Sequence, residues 1–124
     1  MERERFEQLV YKAISELPQE FLDKLDNVDI VVDNIPQKPQ PGGLLRLGLY
    51  EGVPAVMRGS GYNLVVPDKI TIFQESIESI ASTDNDIEIQ VREVVVHEIA
   101  HYFGLDDRRL DEISAEKRSK PVRS

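Results

Sequence analysis

Both histidines of the chain, His97 and His101, stand four residues apart with a glutamate directly after the first: His97-Glu98-Ile99-Ala100-His101. Two neutral imidazoles one helical turn apart can hold a single divalent cation, and the carboxylate between them can move a proton beside it. That chemistry is metal-assisted hydrolysis. No other cluster in the sequence suggests a reaction, so any enzymatic reading rests on this segment.

The elements around it must present both rings to one point. The cap-rich run Ser82-Thr83-Asp84-Asn85-Asp86 predicts the start of a long helix over about 86–103. At about 100° per residue, His97 and His101 fall about 40° apart on its surface. Glu98 falls about 60° to the side of His101, too oblique for the same coordination sphere but suited to a water beside the ion. Ile89, Val96, Ile99, Ala100 and Phe103 form an apolar surface for packing, while Gln90 and Glu93 share the histidine face. Arg92 lies toward the apolar side, where it snorkels or pairs with a carboxylate.

Upstream, Phe6, Leu9, Val10, Ala13, Ile14 and Leu17 share one face of a helix over 3–17, and Phe21, Leu22 and Leu25 extend a short second one after Pro18. Val28 to Val32, Leu44 to Tyr50, Tyr62 to Val66 and Ile70 to Phe73 read as strands, the last two flanking a turn at Pro67-Asp68. Residues 36–43, rich in proline and glycine, form a loop long enough to act as a lid. Residues 74–81 read as a short helix. The pattern is α+β: a small mixed sheet packed against an N-terminal helix and the central helix of the site. It forms one domain over 1–115, followed by a basic, flexible tail over 116–124.

Composition narrows the function classes. A formal charge of −8 repels polyphosphate, which argues against nucleic acid as a partner. There is no cysteine for disulfides or thiolate metal sites, no apolar span long enough for a bilayer, and no secretory signal after Met1. These features lead to an expectation of a cytoplasmic protein with no membrane partner.

A catalytic zinc takes three protein ligands plus a water, so two imidazoles leave one ligand to find. Gly104 lets the chain turn back in a left-handed conformation. Asp107, three residues further, falls where the third ligand stands in the HExxHxxGxxH arrangement. Asp106 is the competing carboxylate, since the turn decides which one points inward; Glu112 and Glu116 come too early for a ligand from a following helix.

The run His97 to Asp107 resembles the zincin-like metallopeptidases in an HExxHxxGxxD form. More closely, the chain is similar to the small bacterial “possible metallopeptidase” family built on a minimal zincin domain. Leu47 to Pro54, Pro67 to Phe73 and Val96 to Leu105 carry that likeness, which spans about 44–107. It implies an α+β zincin-like fold with one zinc ion on His97, His101 and Asp107. The mechanism expected of such a site is metal-assisted hydrolysis of a peptide or protein substrate, with Glu98 as general base. No methionine follows the motif, so the Met-turn of the wider metzincin pattern is missing. A two-His, one-Asp cation carries less net positive charge than a three-His one, which moves the expected pH optimum to neutral or above. Tyr50, Arg58 and Tyr62 are oxyanion candidates by chemistry alone, and Ile70 to Phe73, with Ile72 at its centre, resembles the edge strand along which zincins lay the peptide.

Simpler roles stand beside these. Glu98 can be a salt-bridge partner, Asp107 a surface carboxylate beside Arg108 and Arg109, and Tyr50 and Tyr62 ring packing in strands. Two other functions compete with a peptidase: a non-catalytic zinc-binding or interaction module, and a non-haem iron site, which also uses two histidines and a carboxylate.

Overall fold

A computed structural model describes residues 1–37, 45–52 and 68–105. In chain order its elements are α1 (Arg3–Ser15), α2 (Gln19–Leu22), β1 (Val28–Asp33), β2 (Gly48–Glu51), β3 (Asp68–Phe73), α3 (Gln74–Ile80) and α4 (Asp84–Phe103). The architecture is α+β in one small domain, as the pattern of the sequence implies. The expected strand over 62–66, most of the proline-rich loop and the tail over 116–124 lie outside the described residues.

The three strands form a mixed sheet in the order β1-β3-β2, with β1 parallel and β2 antiparallel to β3. Alternation along each strand decides which side chains meet the helices. Ile70 and Ile72 of β3 are fully buried and pair with Ile30 and Val32 on one side, and with Tyr50 and Gly48 on the other. All these positions share the face that packs on the helical layer. Two expectations change here. Asp68 is not in a turn but opens β3, pairing with Val28. The strand holding Ile72 is central, hydrogen-bonded on both sides, so it has no free edge for a peptide, and Ile72 is core. Among the described residues the edge strands are β1 and β2.

The start of α4 follows from its capping. Thr83 is extended, and its hydroxyl accepts the Asp86 N–H at 3.1 Å, satisfying one of the orphan donors of the first turn. Asp84 and Asp86 complement the dipole there. The helix is buried around most of its circumference, through Val91, Val94, Val95, Val96, Ile99, Ala100, Tyr102 and Phe103. Ile89, expected on the apolar face, is exposed instead. Phe6 and Val10 of α1 join the same core, and Phe21 of α2 meets Phe103 edge-on at 5.2 Å.

Ion pairs line the outer seam between α1 and α4: Arg5 with Asp84 at 3.0 Å, Lys12 with Glu88 at 3.0 Å, and Arg92 with Glu88 at 3.3 Å and Glu16 at 3.6 Å. Arg92 therefore pairs with carboxylates, one of the two roles its position implies. The Lys12 ammonium, donating to Glu88, holds that carboxyl below its usual range against the opposing effect of burial; the charges of Lys12, Arg92 and Arg5 add to this. A depressed carboxylate stabilises the fold above the ordinary carboxylate range and loses that contribution as pH falls through the lowered value. The pair is solvent-screened, so its worth is about 0.5 kcal/mol. Urea unfolding of Glu88→Gln against the unaltered protein is expected to show that small deficit at neutral pH and none in strong acid. A deficit that grows on acidification would contradict the assignment.

Candidate functional site

The geometry of the site follows from how β2 lies along α4. Val94, Glu98 and Tyr102, spaced by four residues, form the stripe of α4 that faces β2. Gly48 lies over Val94 and Glu98, and the Tyr50 ring meets Tyr102 edge-on at 6.2 Å. Glu98 shares its stripe with core residues and is itself buried, at 5% exposure. His97 and His101 lie one stripe over and are exposed, with ring centroids 4.5 Å apart.

The two rings and the carboxylate converge. One donor atom from each of His97, Glu98 and His101 lies within 4.8 Å of the others. Glu98 Oε1 is 3.2 Å from His101 Nδ1. This corrects the helical-wheel projection, which set Glu98 aside from the imidazoles. A glutamate has three rotatable bonds, and this one leans along the helix toward the next turn. With its proton on Nδ1, His101 donates to Glu98 and keeps the Nε2 lone pair for a cation. The donor set of two imidazoles and a carboxylate thus suits a borderline divalent metal.

The end of the helix is also as the sequence requires. Gly104 is left-handed (φ 66°, ψ 30°), its N–H donates to the His101 carbonyl, and the Leu105 N–H donates to that of Ala100, both at 3.0 Å. These two bonds make a Schellman motif, with Leu105 folded back on the core. The chain is thereby turned immediately after the second histidine. Asp106 and Asp107 lie beyond the described residues, as do Arg58 and Tyr62.

A cleft of about 430 Å³ opens beside the three groups. One wall is α4, through Gln90, Glu93, Val94, His97, Glu98 and His101; the other is the run Leu45 to Gly48. Gln90 and Glu93 therefore do share the histidine face. Tyr50 is not part of this lining: its hydroxyl donates to the buried Asp68 carboxylate at 2.6 Å, so it serves the sheet rather than an oxyanion. The segment Leu45-Arg46-Leu47 was missed as a wall because nothing in its local pattern tells which helix it will face.

The helix thus places two imidazoles a turn apart, with a buried carboxylate between them and a cleft alongside, a group that could hold a metal ion. The model of the zincin-like metallopeptidase family matches residues 25–117, and the chain belongs to that family. Among solved structures, a conserved hypothetical protein from Thermus thermophilus is similar to it, with 26% identity and a TM-score of 0.56, over 93% of this chain and 99% of that one. No curated protein matches the chain. The family implies a metal, and the His97, Glu98 and His101 group is able to bind one. Among the described residues no helix is long and apolar enough to cross a membrane.

Proposed function

We propose that the chain is a zinc-dependent peptidase in which Glu98 is the general base. The observation that carries this reading is the burial of Glu98 beside two exposed imidazoles, with its carboxylate at the rim of the cleft. His97 and His101 would hold the ion, with Asp107 as third ligand, a position that the sharp turn at Gly104 supports. When bound, zinc supplies Lewis acidity to the scissile carbonyl and to the attacking water. The Glu98 carboxylate accepts a proton from that water and passes it to the leaving amine. Burial withholds solvent from the carboxylate, so an approaching water meets a weakly hydrated base. The edge of β2 is the place for an extended peptide, whose side chains would meet Leu45, Leu47 and Val94 on apolar walls and Arg46, Gln90 and Glu93 on polar ones. Substrates are peptides or proteins in this reading, and neither nucleic acid nor membrane takes part.

One contact favours a second reading, a non-catalytic zinc-binding module: Glu98 rests on His101 rather than standing free in the cleft. Elemental analysis combined with a peptide-library cleavage screen separates the two. The peptidase reading expects one zinc per chain, lost in His97→Ala and in His101→Ala, and zinc-dependent cleavage of some library members. Zinc retained with no cleavage anywhere would leave the module, and iron in place of zinc would overturn both.

A further inference from the structure

Gly48 is buried against α4, and its φ is not positive, so no unusual backbone conformation demands a glycine there. Space does. A methyl carbon added to Gly48 would lie 2.7 Å from Val94 Cγ1, 3.0 Å from Glu98 Cγ and 3.4 Å from Glu98 Cδ. The first distance is impossible without movement, and the second is tighter than ordinary van der Waals contact. The bare backbone of β2 is thus packed directly on the stem of the glutamate.

The strand cannot yield easily. Gly48 is paired with Ile72 of the central strand, the Leu47 carbonyl accepts the Phe73 N–H at 2.9 Å, and Tyr50 is tied to Asp68 and meets Tyr102 edge-on. On the helix side, Val94 is in the core. Val94 and Glu98 both line the cleft, but valine is branched at Cβ with a single torsion, whereas the three torsions of Glu98 let its carboxylate swing, so the glutamate is the neighbour that gives way. The geometry points to Gly48 as a positioning residue: its missing side chain lets β2 close on α4 and sets where the Glu98 carboxylate stands relative to His101. This rests on Glu98 being the base, as proposed above, but the placement itself can be measured without turnover.

The test uses Gly48→Ala in the full chain, with Val10→Ala, a core truncation in α1 remote from the cleft, as a destabilised control. The ¹⁵N signal of His101 Nδ1 in metal-free protein reports the contact with Glu98. Gly48→Ala is expected to move that signal and to lower kcat about tenfold or more with KM nearly unchanged, since small misplacements of a reacting group are costly. Val10→Ala is expected to lose thermal stability while keeping both the signal and kcat. If Gly48→Ala does not fold, Gly48→Ala/Val94→Ala removes the 2.7 Å clash and leaves Glu98 as the one short contact. That pair is expected to show the same changes against Val94→Ala alone. An unmoved His101 signal in the folded variant, or a kcat loss no larger than that of Val10→Ala, would overturn the inference. Should the unaltered protein cleave nothing, the peptidase reading fails, and the His101 signal still decides the placement.

Discussion

Glu98→Gln is expected to lower peptide hydrolysis by about 10²–10⁴-fold while one zinc stays bound per chain. The substitution keeps the shape of a side chain packed under Gly48, so the fold has no reason to rearrange. It keeps an oxygen that can accept from His101 Nδ1, so the imidazole remains oriented. What it removes is the carboxylate proposed to take the proton of the attacking water. It also replaces a buried carboxylate, at 5% exposure, with a neutral amide, so thermal stability is not expected to fall. Kinetics and equilibrium dialysis on the same preparation check both halves. Unchanged hydrolysis would remove Glu98 from the mechanism, and loss of zinc together with activity would make Glu98 a ligand instead of a base.

The largest expected effect on stability lies one helical turn further on. Tyr102 is fully buried, its ring meets those of Tyr50 and Phe103 edge-on, and its hydroxyl donates to the Asp26 carbonyl at 3.1 Å while accepting the Asp26 N–H at 3.3 Å. It joins α4 both to β2 and to the segment entering β1. Tyr102→Ala empties that space and removes both hydrogen bonds to the Asp26 backbone, at a cost of about 3–5 kcal/mol. Domains of this size hold about 5–15 kcal/mol in all, so urea unfolding should show a large fraction gone. Tyr102→Phe keeps the ring and is expected to lose only about 1 kcal/mol. A Tyr102→Ala protein as stable as the unaltered one would mean that β2 is not held on α4 in this way.

How much of this was legible in the residues depended on whether the signal was local. The start of α4 was readable because Thr83 and its acidic neighbours cap a helix by themselves, and its end because Gly104 alone fits the left-handed turn. The histidine pair was readable for the same reason, since four residues on one helix fix their relation. Sheet order was not. Ile70 to Phe73 is alternately apolar whether it is an edge or a centre, and only the pairing of β1 and β2 on its two sides makes it central. Nor did the helical projection reveal that Glu98 is buried. That follows from β2 lying over the Val94, Glu98 and Tyr102 stripe, a contact between residues about fifty apart in sequence that no periodicity encodes. The same long-range contact turned Tyr50 from an oxyanion candidate into a packing residue, and brought Arg46 to the cleft.

Anomalous scattering at the zinc edge, from crystals grown with zinc, tests the central claim most directly. The account predicts one strong peak about 2.0–2.1 Å from a ring nitrogen of His97 and of His101, with a carboxylate from beyond Gly104 completing the ligands. A fully occupied peak elsewhere on the molecule, or none between the two rings, would contradict it.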